Sequence, residues 1–189
     1  MNKILMSAAL CLLLSFLLTG CISYKPQNAK KVRGKLYEEF FAGDEGMQYF
    51  IKPLKFEGQE SDYIVFADFT FRVREEIRAE DSVVLNFSLL SKSSVAVIDS
   101  IALKTSRSIS VIRELDLLFK EKKDQEYTNR YSSRTCLMSL HTFFKAEHPA
   151  FIVYIDNKQF TFVPDKRSSQ NMHQLEEDIF QLYGSTENN

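Results

Sequence analysis

Tryptophan is absent from the 189 residues, and glycine (6), proline (4), cysteine (3) and histidine (3) are scarce. The missing indoles argue against a sugar platform built on stacked Trp rings. So little glycine and proline, beside 44% apolar and 13% aromatic residues, excludes a disordered or low-complexity chain. Charge of one sign is also lacking: 24 basic side chains stand against 25 acidic ones, so there is no electrostatic case for binding nucleic acid. No second long apolar run follows the first, Ile4 to Leu18, whose 15 residues fall short of the roughly 20 that cross a bilayer. No transmembrane helix is therefore expected to remain in the mature protein. No H-E-x-x-H, paired-cysteine spacing, G-x-S-x-G elbow or phosphate-cradling glycine loop occurs, and neither metal nor cofactor is expected.

What is present begins with an address. Met1-Asn2-Lys3 is a short basic start, Ile4 to Leu18 is the apolar stretch of an export signal, and Leu18-Thr19-Gly20-Cys21 follows it directly. These four residues resemble the lipobox of bacterial lipoproteins, in which a branched apolar residue, a small residue and Gly or Ala precede an invariant Cys. The resemblance covers only the signal and this motif. It implies cleavage between Gly20 and Cys21, attachment of diacylglycerol to the Cys21 sulfur, and acylation of the new amino group. Each buried CH₂ contributes about 0.8 kcal/mol, so two or three chains hold a protein on a membrane effectively permanently. Ile22 stands where enteric lipoproteins retained in the inner membrane carry Asp. Ile22-Ser23-Tyr24-Lys25-Pro26 also lacks the acidic export signal of some Bacteroidota lipoproteins. By these resemblances the expected position is the outer membrane, facing the periplasm.

Four segments are expected: a signal over 1–20, a lipidated basic tether over 21–35, one β-rich domain over 36–184 and a disordered tail over 185–189. The tether carries Lys25, Lys30, Lys31, Arg33 and Lys35 and no acid. It reads either as a solvated spacer, reaching roughly 20 Å, or as a contact for anionic headgroups. In the domain the period is two. Tyr63, Val65, Ala67, Phe69, Phe71 and Val73 fall on one face, with the even positions from Asp68 polar (Asp68, Thr70, Arg72, Arg74), and Val83, Leu85, Phe87 and Leu89 repeat the pattern against Asn86 and Ser88. The same pattern is read over Ile109, Val111, Leu115, Leu117 and Phe119, interrupted by Arg113. Met47 to Phe56 is extended, with Pro53 confining it to an edge or bulge. Residues 36–41 suit helix or hairpin and are taken as hairpin, because Gly43-Asp44-Glu45-Gly46 is turn chemistry. Phe151 to Ile155 and Phe160 to Val163 flank a turn at Asp156 to Gln159. Residues 138–145 suit either strand or short helix. Ser169 to Tyr183 is a helix with Met172, Leu175, Ile179 and Leu182 on one stripe, an Asn171/Gln174 capping box and Gly184 as its stop. The fold class is mainly β, an antiparallel β-sandwich with a C-terminal amphipathic helix.

Few residues carry chemistry. Cys136 is the only thiol left once Cys11 departs with the signal and Cys21 is acylated. Its setting, Cys136-Leu137-Met138, suits a buried small hydrophobe better than a nucleophile. His141, His148 and Glu147 converge on a metal only if their segment folds back; surface histidines are the plainer expectation, and His173 belongs on a helix's polar face. Asp68 shares a strand face with Arg72, an arrangement more often structural than catalytic. The adjacent acid pairs Glu38-Glu39, Glu75-Glu76 and Glu176-Glu177 diverge in strand or helix and do not cooperate as acid and base. Lys120 to Arg134 interleaves basic residues with Tyr127 and Tyr131, which suits an anionic ligand, but Glu121, Asp124 and Glu126 dilute the charge and a protruding hairpin is expected. Asp81-Ser82-Val83 and Asp99-Ser100-Ile101 resemble the acceptor tripeptide of Bacteroidota protein O-glycosylation, which makes Ser82 and Ser100 the implied sites. Asp99 also interrupts the alternation of Val95, Val97, Ile101 and Leu103 and predicts a bulge or a strand break. The chain thus resembles a small Bacteroidota envelope lipoprotein, expected to bind or scaffold an envelope protein or glycan without catalysis. The alternative is an envelope hydrolase with a dispersed site drawn from Asp68, His141 and His148.

Overall fold

A computed structural model describes residues 36–74, 81–95 and 97–181. The signal, Gly20, Cys21, the basic tether, Glu75-Glu76, Leu182, Gly184 and the tail lie outside the described residues. The alternating segments form ten strands: β1 (Tyr37–Phe41), β2 (Met47–Gly58), β3 (Ile64–Val73), β4 (Ser82–Ser91), β5 (Ile98–Lys104), β6 (Ile109–Ile112), β7 (Asp116–Lys123), β8 (Glu126–Cys136), β9 (Ala150–Ile155) and β10 (Lys158–Pro164). Two helices join them, α1 (Leu137–Phe144) and α2 (Lys166–Leu175), and α2 continues into a π-helical turn at Glu176–Phe180. The protein is mainly antiparallel β with a C-terminal helix, as the alternation and the apolar stripe predict.

The strands hydrogen-bond as one sheet in the order β6-β5-β9-β10-β2-β3-β4-β8-β7, with β1 also on β2. That order fixes the shape. A flat nine-strand path would hold its end strands roughly 38 Å apart, yet only Arg113, Glu114 and Leu115 connect β6 to β7, a link that spans at most about 15 Å. The sheet must therefore roll until its ends approach. Ring contacts agree, since Phe87 of β4 lies 5.5 Å from Phe151 of β9, four strands away in the sheet. The two facing limbs of this roll take the place of the two separate sheets of a sandwich.

Phe56, Phe69, Phe71, Phe87, Phe143, Phe151, Phe162 and Phe180 are fully buried and Phe144 nearly so, so nine of the 16 phenylalanines fill the core. Leu137, Leu140, Phe143 and Phe144 make the buried stripe of α1, which resolves residues 138–145 as helix. Phe143 meets Phe56, Phe144 meets Phe69 and Phe180 meets Phe71, so both helical segments close over the inside of the roll.

Strand β2 carries the bend. Its first half pairs with β1 and its last residues with β10 along the same edge, and its register against β3 shifts between Ile51 and Leu54. Pro53 sits in that bulge, where a missing N–H breaks no ladder bond. Beside the bulge α2 takes over from β10: the Lys55 N–H donates to Ser168 Oγ at 2.8 Å and the Asp165 N–H donates to the Lys55 carbonyl at 3.2 Å. The β1–β2 connection needs Gly46, whose φ of +83° and close approach to the Val73 carbonyl leave no room for a Cβ.

Several expectations are corrected. The alternation over 109–119 is not one half-buried strand: β6 and β7 are the sheet's two end strands, and Ile109, Val111, Leu117 and Phe119 are exposed while Ile112 is buried. The C-terminal helix starts at Lys166, before the expected Ser169, and its cap is Asp165, whose Oδ1 accepts from the Ser168 N–H at 2.7 Å; Asn171 and Gln174 lie inside it. The β9–β10 turn is tighter than four residues, because Asp156 and Asn157 both take positive φ and Ile155 pairs with Lys158. Asp99 does interrupt the β5 register against β9.

Candidate functional site

Period-two geometry sends the other face of β3, β4 and β8 outward. Cross-strand rows run Asp68–Asn86–Ser132 and Thr70–Val84–Arg134. Asp68 is not paired with Arg72 as its strand suggests. Residues four apart in a strand are about 13 Å apart, and nearer groups on β4 and β8 win: Asn86 Nδ2 donates to Asp68 Oδ1 at 3.1 Å and Arg130 donates to Asp68 Oδ2 at 2.7 Å. The same guanidinium donates to Ser88 Oγ at 3.1 Å. These bonds cross three strands and give each Asp68 carboxylate oxygen a donor.

Beyond this knot, where β3 ends and β4 begins, the outward face holds a concavity of about 570 Å³ lined by Gln48, Arg72, Arg74, Asp81, Ser82 and Arg134 among others. Arg72 is held by Glu45 and by the Gln48 side-chain carbonyl, while Gln48 Nε2 donates to the Phe71 carbonyl at 3.1 Å. Among the described residues, the guanidiniums of Arg74 and Arg134 have no partner. Asp81 lines the same cavity and is engaged in an interaction of its own. The site thus presents three arginines, Arg72 on β3, Arg74 just past its end and Arg134 on β8, one oriented and two with no donor engaged by a described residue.

The other candidate residues lie apart from it, Ser82 excepted. His141 is on α1, stacked parallel on Phe180 with ring centres 4.9 Å apart, and its Nε2 lies 3.7 Å from Oε1 of the buried Glu176. Gln181 Nε2 donates to the second Glu176 oxygen at 3.1 Å. His148 and Glu147 border a different concavity, near Lys104 and Thr161, so they do not join His141. No three His, Cys, Asp or Glu side chains among the described residues gather to hold a metal. Cys136 ends β8 half-buried and engaged, not sealed in the core. His173 is exposed, 3.4 Å from Glu177. Ser82 is exposed on the arginine cavity's rim and Ser100 is half-buried beside the Asp99 bulge.

The basic, tyrosine-bearing stretch forms the β7–β8 hairpin, with Lys122 over the Tyr127 ring at 5.1 Å. Tyr131 is not a gripping surface. It is buried against Phe87 at 5.2 Å, and burial pushes its phenol pKa up against the opposing effect of a hydrogen bond with the Ile98 backbone. The arginine cluster escaped sequence reasoning because Arg134 is 60 residues from Arg74 in the chain. The legible signal was the outward run Asp68, Thr70, Arg72, Arg74; only the β3-β4-β8 register brings Arg134 beside it. No helix among the described residues is long and apolar enough to cross a membrane. Comparison of the chain with protein-family models, curated proteins and solved structures finds no match in any of the three.

Proposed function

We propose that this chain is a lipid-anchored protein of the bacterial envelope, held through Cys21 on the periplasmic face of the outer membrane, whose rolled β-domain is a binding module. The Leu18-Thr19-Gly20-Cys21 motif behind its apolar run supports the anchor. The observation that carries the binding reading is the separation of Asp68, His141 and His148. Asp68 is consumed by Arg130 and Asn86, His141 by Phe180 and Glu176, and His148 borders another surface. An acid, base or nucleophile has to reach the same reacting atom within hydrogen-bond distance, and these three do not share one. The arginine concavity, by contrast, rests on paired strands, a rigid setting for recognition.

Cys21→Ser removes the thioether-forming sulfur, so metabolic labelling with a fatty-acid analogue should fall to background while unprocessed precursor accumulates. Equal labelling of variant and parent sinks the anchor. His141→Ala and His148→Ala should each complement a gene deletion when the proteins accumulate normally. The buried Glu176 beside His141 is the one observation that favours the hydrolase reading, and loss of complementation in a stably folded His141→Ala protein would transfer the preference to it.

A further inference from the structure

We infer that the arginine concavity on the outward face of β3, β4 and β8 binds the phosphoryl group of a small phosphate ester; this rests on the binding-module reading and gives it a ligand class. The argument starts from unused donors. A guanidinium carries five N–H groups and stays charged at every physiological pH. Arg72 directs its Nη1 to Glu45 and its Nε to Gln48, which fixes the position of its charge at the cavity wall. Arg74, the residue just past the end of β3 and part of the same lining, and Arg134, on the far side of β4, spend none of their donors on any described residue. Ser82, on the strand between them, adds a hydroxyl to the same lining.

Charge and stoichiometry select the ligand. The cavity's three arginines outnumber Glu45 and Asp81, so the lining keeps a positive excess. A carboxylate has two oxygens and one charge, and a single guanidinium fork fills it. A phosphate monoester presents three terminal oxygens and nearly two charges near neutral pH, which suits converging arginines with a hydroxyl between. A volume of about 570 Å³ fits a small molecule, and the polar wall of Thr70, Ser82 and Gln48 suits a sugar or glycerol remainder better than an acyl chain. Such a monoester reaches the protein either as a soluble sugar phosphate or as the terminal phosphate of a phosphomonoester lipid headgroup, which keeps all three oxygens and both charges.

The full-length acylated protein in neutral detergent, titrated calorimetrically at low ionic strength, tests this with glucose 6-phosphate, glycerol 3-phosphate and glucose as probes. One of the two esters should bind with a Kd below about 1 mM, weaken as salt screens the site, and leave glucose without a signal. Tighter glucose 6-phosphate binding would identify the soluble sugar ester as the source, and tighter glycerol 3-phosphate binding the monoester lipid headgroup. Arg74→Gln and Arg134→Gln should each weaken binding about 10-fold, a loss appropriate to one charge-assisted contact, and the double variant should abolish it. Arg134→Lys keeps the charge but not the fork and should fall between parent and Arg134→Gln, which guards against reading a folding defect as a lost contact. Failure of both esters to bind the parent protein overturns the proposal, as does unchanged binding in a double variant with the parent's melting temperature. Either result would leave the anchored module standing if complementation still requires Cys21, and loss of that requirement would leave the arginine site standing.

Discussion

Strand β4 and the stretch from Ile109 to Phe119 show the same apolar alternation and meet opposite fates. In β4, Val83, Leu85, Phe87 and Leu89 are all fully buried, whereas Ile109, Val111, Leu117 and Phe119 are 40–52% exposed. Alternation records the pleat, which every strand has. Burial depends on what lies across the sheet, and β4 has β9 across the roll while β6 and β7 are its two ends. A period of two thus identifies a strand without placing it.

The largest break in this comparison should come from truncating an aromatic at each place. Phe87→Ala leaves a void between Tyr131 and Phe151 and should cost about 3–5 kcal/mol. Phe119→Ala should cost less than about 1 kcal/mol, because much of that ring already faces water. Chemical denaturation of the two variants separates the cases, and equal losses would mean that β7 is covered.

A smaller effect distinguishes centre from periphery among polar groups. Asp68→Asn weakens a pair whose partners are only 26% and 16% exposed and should cost about 1–2 kcal/mol. Asp62→Asn removes the exposed ion pair with Lys92 and should leave the melting midpoint where it was, since two solvated side chains gain little from each other. A comparable drop in both variants would contradict the central role of the Arg130 knot.

The smallest effect appears only in alkali. Burial raises the Tyr131 pKa in the folded protein, so the unfolded chain releases that proton first, beginning near pH 10. Below that pH the group's contribution is fully present, and it is lost as pH rises from there through the folded value. Melting temperatures compared at pH 9 and pH 11 should fall less for Tyr131→Phe than for the parent, and identical slopes would remove burial as the cause.

Strands read from alternation in β3 and β4, the β9–β10 hairpin and the Met172, Leu175, Ile179 stripe were legible because each depends on near neighbours in the chain. Residues 36–41 and 138–145 were ambiguous for the same reason: their local patterns suit two periods, and only docking on β2 and in the core decides. Asp68 was assigned the wrong arginine because Arg130 lies 62 residues away and enters only through the β8 register. The helix start was misplaced although Asp165-Lys166-Arg167-Ser168 holds a serviceable cap, because the apolar stripe begins later than the helix does.

The three-residue span from Arg113 to Leu115 sets the order in which the chain is able to assemble. The β5–β6 and β7–β8 hairpins are consecutive in synthesis but belong to opposite ends of the sheet. Outside its own hairpin β5 has a single strand neighbour, β9, which is made some 46 residues after it. Joining the two ends depends on non-local pairing, the slow class of folding event. A chain made from its N-terminus onward therefore carries β5 and β6 unjoined to the rest of the sheet until Ala150–Ile155 emerges, which makes that interval the one in which their open edge is most exposed to wrong pairing.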